Sequence, residues 1–147
     1  MIQIRQGLFE TNSSSVHVLV IPKDTEIIIP QIVYLRGGEY GWSSDEEYDT
    51  MSYFYEACLA RGQEEVNKLV SYLKRKGVEE VHCARSNGYI DHSNEVPLDT
   101  LFRNENLLDR FLFGRGSFVE TGNDNSDSYP SCTSYDQDKY DTIKKGN

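Results

Sequence analysis

Residues 9–21 read FETNSSSVHVLVI, a run of short polar side chains that passes directly into an apolar run. In the second part, three valines alternate with His17, Leu19 and Ile21, and this period of two is typical of a β-strand. Both faces of the strand become apolar towards Ile21, while its first end stays polar on one face. The pattern predicts a central strand of a sheet, with a polar end that borders the core.

Around this strand the chain has the periodicity of about three helices and several shorter strands. Helices are predicted from the Ser44–Glu47 capping-box pattern to Gly62, over the run that ends at Lys74–Gly77, and over 104–113. Strands are predicted at 1–7, 26–35 (interrupted by Pro30), 78–84 and 117–120. This order predicts an α+β fold with a mixed, mostly antiparallel sheet. We expect a single domain over residues 1–122 and a polar, partly flexible segment over 123–147.

The chain is acidic, with 24 Asp and Glu against 15 Lys and Arg and a net charge of −9. Such a surface repels nucleic acid phosphates and lipid headgroups, so we expect no direct binding to nucleic acid and none to membranes. The three cysteines are an odd set without a C-x-x-C pair, which argues against a disulfide framework. The first residues carry no apolar leader, and no segment has membrane-spanning length. We therefore expect a soluble protein of the cytoplasm.

The polar stretch that precedes the central strand has three interpretations. Asn12 and the serines could satisfy backbone groups of a turn. Ser15 and His17 share a strand face, as a nucleophilic pair would, but the G-x-S-x-G elbow is absent. The third interpretation is a hydrogen-bonding rim around a small ligand, formed by residues 11–15 and His17.

A second polar stretch, TGNDNSD at residues 121–127, carries oxygen-bearing side chains that suit Mg²⁺ or Ca²⁺. The EF-hand pattern is not met, and an Asx-rich turn is the simpler interpretation. The histidines and cysteines lack the spacing of a zinc site, and the glycine patterns of the common nucleotide folds are absent. We therefore expect no metal and no cofactor.

Three blocks of the sequence carry a resemblance to known proteins. The first is R-x-G-x-F-E-T-N-S-S-S-x-H at residues 5–17, the second is GEYGW at Gly38–Trp42, and the third is TGNDN at Thr121–Asn125. In this order the blocks resemble those of a family of small proteins encoded by bacteriophages, prophages and other mobile elements. The resemblance implies a phage or mobile-element origin and one site shared by the three blocks, and it implies no particular reaction.

From the blocks we predict a polar pocket in which FETNSSSVH is the floor, while GEYGW and TGNDN are the walls. Trp42 would wall this pocket, although a lone tryptophan also serves as core filling. Hydroxyl groups, backbone N–H groups at glycine-rich turns and an arginine suit an anion. The predicted ligand-binding residues are Arg5, Glu10, Thr11, Asn12, Ser13, Ser14, Ser15, His17, Trp42, Asn123, Asp124 and Asn125.

Three functions are consistent with this site. The first is a phage accessory protein in the host cytoplasm that binds a small anionic or nucleotide-like ligand or a host protein, as an inhibitor of a host defence system. A host protein would contact the acidic residues Asp45, Glu46, Glu47 and Asp49. The second is a small metal-assisted phosphoesterase or nucleotide-processing enzyme that uses Glu10, His17 and Asp124. The third is a structural or assembly factor in which the polar blocks only brace loops.

Overall fold

The computed structural model describes residues 15–40, 47–86, 89–90, 96–123 and 135–146 of the 147-residue chain. The helices in these ranges are α1 (Thr50–Arg61), α2 (Gln63–Lys76), α3 (Leu98–Arg103) and α4 (Glu105–Phe113). The strands are β1 (Ser15–Pro22), β2 (Ile32–Leu35), β3 (Glu39–Tyr40), β4 (Glu47–Tyr48), β5 (Glu80–Cys83), β6 (Tyr89–Ile90), β7 (Phe118–Asn123) and β8 (Tyr140–Gly146). The predicted α+β class is confirmed.

The strand that opens the described part of the chain organises the largest sheet. This antiparallel sheet has the order β4-β7-β1-β8, so β1 has a neighbour on each side. The remaining strands form two separate parallel pairs, β2 with β5 and β3 with β6. The central strand predicted from residues 15–21 is therefore confirmed, and the parallel pairing is confined to short strands outside the main sheet.

The two faces of β1 contribute to two apolar cores. Leu19 and Ile21 are fully buried in the main core, which they share with the helices. Val18 and Val20 belong to a smaller core on the opposite face, where Phe118, Tyr135 and Tyr140 pack against them. Because the strand is covered on both faces, its side chains are apolar on both, which explains the loss of alternation towards Ile21.

Helix α1 lies inside the molecule and carries polar side chains into the main core. Its buried residues are Thr50, Tyr53, Phe54, Tyr55, Glu56, Ala57 and Cys58. The ring of Phe54 packs edge-on against Phe102 of α3 and Phe111 of α4, with centroid distances of 5.3 and 6.2 Å. Because Phe54 fixes α1 in the core, it also fixes the positions of Tyr53 and Glu56, which belong to the same helix.

The start of α1 differs from the prediction. The capping-box pattern would begin a helix near Ser44, but Glu47 belongs to strand β4, which pairs with β7. Asp49 is the N-cap instead, and its carboxylate accepts hydrogen bonds from Met51 N–H at 3.3 Å and from Ser52 Oγ at 3.0 Å. The prediction was wrong because strand pairing keeps residues 47 and 48 extended.

Helix α2 ends where the sequence predicts, and this end has a clear local cause. Gly77 follows the last helical residue with a φ of 120°, and its N–H donates to the carbonyls of Leu73 and Lys74. Only glycine adopts this backbone conformation without strain, so the chain can leave the helix there. Periodicity predicts an apolar stripe of Val66, Leu69, Val70 and Leu73; the buried residues are Val66, Leu69, Tyr72 and Leu73, and Val70 is only partly buried.

Several shorter elements were missed or only partly predicted. Helix α3 has six residues and was not predicted. The run 26–35 is divided at Pro30 into a single bridge, from Ile27 to Gly114, and strand β2. Strand β8 pairs along most of β1, so the segment 123–147 contributes a strand that the polar composition did not indicate. The boundary after residue 122 and the flexibility of that segment stay predictions.

The strand predicted at residues 1–7 lies outside the described residues. Within the described ranges, no helix is both long enough and apolar enough to span a membrane.

Candidate functional site

The pairing of β1 with β7 brings the first and third sequence blocks together. In the antiparallel register, Ser15 is opposite Asn123 and His17 is opposite Thr121. Neighbouring strands lie about 4.8 Å apart, so the end of FETNSSSVH and the start of TGNDN run side by side. The predicted meeting of these two blocks is thus present in the backbone.

His17 faces the interior of the molecule. Its side chain is 1% exposed, and Nδ1 lies 2.8 Å from the phenol oxygen of Tyr53, which is itself fully buried. The two rings are inclined by 54° with centroids 5.7 Å apart. Thr121, the partner of His17 in the register, is also fully buried. His17 therefore connects the sheet to α1 through a buried hydrogen bond.

One turn along α1, Glu56 connects the helix to the second block. Its side chain is 4% exposed, and Oε1 accepts hydrogen bonds from Gly38 N–H at 3.0 Å and from Ser86 Oγ at 2.6 Å. Gly38 is the first residue of GEYGW. Residues three apart on a helix are surface neighbours, so Tyr53 and Glu56 lie next to each other. Through these two residues α1 contacts the first and second blocks at adjacent positions.

The loop before β3 fits closely around Glu56. A Cβ atom on Gly37 would overlap Ser86 Oγ and Glu56 Oε1 and would lie 2.5 Å from Ser86 Cβ. Tyr55 holds the chain just before Ser86, since its hydroxyl donates to the carbonyl of Ala84 at 2.8 Å. Burial raises the pKa of Tyr55, and the neighbouring Cys83 thiol adds to this, so the phenol stays neutral and able to donate.

The buried polar side chains of the described chain are concentrated in this region. They are His17, Thr50, Glu56 and Thr121, and each belongs to α1, β1 or β7. Burying polar groups costs free energy unless they are hydrogen-bonded, and an apolar core would be simpler to pack. This concentration marks the α1 side of the β1–β7 pair as the candidate functional site.

The other predicted ligand-binding residues are described only in part. Ser15 and Asn123 lie in the paired strands. The remainder lie outside the described residues, namely Arg5, Glu10, Thr11, Asn12, Ser13, Ser14, Trp42, Asp124 and Asn125. Asp124 and Asn125 follow Asn123 directly in the chain, and Ser13 and Ser14 directly precede Ser15.

The acidic residues predicted for a protein partner have different positions. Asp45 and Glu46 lie outside the described residues, and Glu47 lies in β4 opposite Glu120 of β7. Asp49 is exposed, but its carboxylate caps α1. Their role in binding a partner stays a prediction.

Three residues of the site, Tyr53, Glu56 and Ser86, were not predicted. The sequence contained one signal, because Glu56 is the only acidic residue among positions 50–61 and lies within a run of uncharged residues. A helix periodicity alone could not show that this carboxylate points into the molecule. Among the described residues, no cluster of three or more His, Cys, Asp or Glu side chains could hold a metal ion.

Comparisons with known proteins do not assign the site. The chain matches no protein-family model, and searches of curated proteins and of solved structures found no match. The interpretation of the site therefore depends on its geometry and chemistry.

Replacing Tyr53 by phenylalanine tests the buried hydrogen bond to His17. The substitution keeps the ring and removes the hydroxyl, so we expect the free energy of unfolding to fall by about 1–2 kcal/mol. Denaturant titration followed by circular dichroism measures this change. The matched control is Tyr34→Phe, because Tyr34 is 59% exposed and its change should cost less than about 0.5 kcal/mol. Equal stabilities of the two variants would contradict the assigned hydrogen bond.

Proposed function

We propose that the protein is a phage or mobile-element accessory protein that binds a small anionic or nucleotide-like ligand where its three sequence blocks meet. The observation that carries the proposal is the meeting itself. Two blocks run side by side in the β1–β7 register, and α1 contacts the first through Tyr53 and the second through Glu56. Segments about a hundred residues apart in the chain thus supply polar groups to one region.

The chemistry around this region favours an anion. The chain is acidic overall, yet Lys145 of β8 occupies the register position beside His17. Hydroxyl and backbone N–H groups of the first block, together with Arg5, would add hydrogen-bond donors. The Glu56 side chain already accepts hydrogen bonds from Gly38 N–H and the Ser86 hydroxyl. It therefore serves to hold this loop.

The phage or mobile-element origin has a separate support, which is the resemblance of the three blocks. From this origin we propose that ligand binding serves to counter a host process, with a defence system as the target. The expected location is the host cytoplasm.

A host protein is a second class of partner. Glu47 and Glu120 are opposite each other in the β4–β7 pair, and like charges at such positions are unfavourable. A basic patch on a partner would offset this pair of like charges and would suit the acidic sequence Asp45, Glu46 and Asp49 as well. The net charge of −9 supports such a partner in addition.

The enzymatic alternative has one supporting observation. Asn123, which directly precedes Asp124 in the sequence, is opposite Ser15 in the register, and Ser15 is two residues before His17. With Glu10 they would supply the acid, base and metal-binding groups of a phosphoesterase. This alternative predicts that Mg²⁺ or Mn²⁺ stabilises the protein and that Asp124→Ala removes the effect.

Ligand binding is tested with the purified full chain and defined probes. Thermal-shift and calorimetric titrations would use inorganic phosphate, adenosine mono-, di- and triphosphate, and cyclic dinucleotides, each with and without Mg²⁺. We expect at least one probe to raise the melting temperature and Asn123→Ala to weaken its binding at least tenfold, which is about 1.4 kcal/mol. Asn67→Ala, at an exposed position of α2, is the control and should leave binding unchanged.

The outcomes separate the three classes of function. Binding without turnover supports the ligand-binding protein, and release of phosphate or a changed nucleotide supports the enzyme. A third outcome is that no probe binds, that affinity capture from host lysate recovers one host protein, and that Glu47→Lys abolishes this capture. This outcome would exclude the ligand site and support a protein partner. Binding that is insensitive to Asn123→Ala would contradict the position of the site.

A further inference from the structure

Among the residues whose side chains the structure describes, the exposed large apolar ones all come from one short stretch. They are Ile27 at 40% exposure, Ile28 at 51%, Ile32 at 40% and Tyr34 at 59%, all within residues 27–34. Single exposed apolar residues are ordinary in proteins, whereas a concentration in eight residues is typical of an interaction surface.

Two of these residues lie on the outer face of the β2–β5 pair. On the inner face, Val33 and Leu35 are buried in the main core together with residues of α1 and α2. Ile32 and Tyr34 alternate with them and are exposed. The pair is parallel, and parallel strands are normally covered on both faces. One covering layer is therefore missing from this pair.

The outer face is a preformed aromatic surface. His82 of β5 is opposite Tyr34 of β2, and their rings stack with centroids 4.9 Å apart and an interplanar angle of 15°. His82 Nε2 lies 3.0 Å from Glu80 Oε1, which holds the imidazole in place. The guanidinium of Arg36 lies 6.0 Å from the centroid of the Tyr34 ring. Two rings that are already held in place lose little conformational freedom when a partner covers them.

The exposed charges that flank this face have opposite signs at its two ends. Glu79 and Glu80 are at the start of β5, whereas Arg36 and Arg85 follow the ends of β2 and β5. Because the strands are parallel, both arginines are at one end and both glutamates at the other. The four charges cancel, although the chain as a whole carries −9. A second copy would therefore meet no net repulsion at this face.

We propose that the outer face of β2–β5 is the interface of a two-fold symmetric dimer of this chain. A two-fold axis perpendicular to the strands reverses the strand direction of the second copy. The acidic end of each protomer then lies over the basic end of its partner, and the two Tyr34–His82 stacks cover each other. This inference does not depend on the proposed ligand site, which lies on the β1–β7 pair.

The interface is small, so the dimer should be in reversible equilibrium. Stable complexes bury about 800 Å² on each partner, and a patch of a few side chains covers less than this area. We expect sedimentation velocity of the full chain to show the mass rise from that of a monomer towards twice that value between low micromolar and submillimolar concentration. Tyr34→Ser should weaken association at least tenfold, while Ser71→Ala, at an exposed position of α2, should not.

A charge exchange tests the proposed orientation directly. Arg36→Glu alone and Glu80→Arg alone place like charges opposite each other in the homodimer, so each variant should associate more weakly than the natural chain. An equimolar mixture of the two variants restores both opposite-charge pairs, and it should form heterodimers. The doubly substituted chain should dimerise again by itself.

Three results would overturn the proposal. They are a monomer at every concentration, association that is unchanged by Tyr34→Ser, or no heterodimer in the mixture of the two charge variants. If the natural chain stays monomeric but binds a host protein, and Tyr34→Ser abolishes that binding, the face belongs to a different partner and the dimer is excluded. Circular dichroism and melting temperature of each variant exclude loss of folding as the cause.

Discussion

Replacing Glu56 by leucine is expected to lower the free energy of unfolding by about 3 kcal/mol. The leucine side chain keeps most of the volume but takes the acceptor away from Gly38 N–H and from the Ser86 hydroxyl. The Glu56 side chain is 4% exposed and both donors are partly buried, so the loss of these hydrogen bonds is costly. Denaturant unfolding at neutral pH measures the change.

Two further variants make the Glu56 result specific. Glu56→Gln keeps an oxygen at the Oε1 position that accepts both hydrogen bonds but removes the negative charge, so it should cost about half as much as leucine or less. Glu64→Leu makes the same chemical change at an exposed position of α2 and should cost less than about 1 kcal/mol. If Glu56→Leu were as stable as Glu64→Leu, the buried role of the Glu56 carboxylate would be wrong.

The second large effect is expected for Gly37→Ala, which should cost about 2–3 kcal/mol. The new methyl group would overlap the Ser86 hydroxyl and the Glu56 carboxylate, so these groups must separate to accommodate it. The substitution acts by steric overlap, whereas the Glu56 variants act by removal of an acceptor. Thermal and denaturant unfolding of the same preparation would give the magnitude.

A second substitution can relieve the overlap and identify its cause. Ser86→Gly removes both Ser86 atoms that the new methyl group would meet. The double variant Gly37→Ala, Ser86→Gly should therefore be more stable than the sum of the two single changes predicts, by at least about 0.5 kcal/mol. Simple additivity would mean that the cost arises from the overlap with the Glu56 carboxylate or from the backbone of Gly37, and not from contact with Ser86.

The same variants also test whether the second block belongs to the ligand site. If Gly38–Trp42 form part of the site, Glu56→Gln should weaken ligand binding at a temperature where the variant is folded. Unchanged binding would separate the second block from the site and leave the β1–β7 pair as its only supported part. The buried polar contacts of α1 would then serve stability alone.

The position of α1 explains how distant segments can share one region. Phe54 anchors the helix in the core, and this leaves Tyr53 and Glu56 facing the first and second blocks. A helix of 12 residues is rigid over this distance, so a shift on one side would be transmitted to the other.

Local signals in the sequence were sufficient for the elements whose residues depend on their near neighbours. The alternation at residues 15–21 predicted β1, the stripe ending at Gly77 predicted α2, and the run at 104–113 predicted α4. Each depends on a period of 2 or 3.6 residues, which is a property of the chain over a few positions. The three polar blocks were likewise visible as composition.

Tertiary structure decided what these elements contact. The register that places His17 opposite Thr121, the hydrogen bond from the sheet to Tyr53 and the burial of Glu56 join residues far apart in the chain. Strand β8 is polar enough to resemble a loop and becomes a strand only because β1 offers an edge. Local periodicity shows which face of an element is apolar, but the partner of that face depends on which distant surfaces are buried together. For this reason the sequence determined β1, α2, α4 and the polar blocks, and only the folded chain determined where they meet.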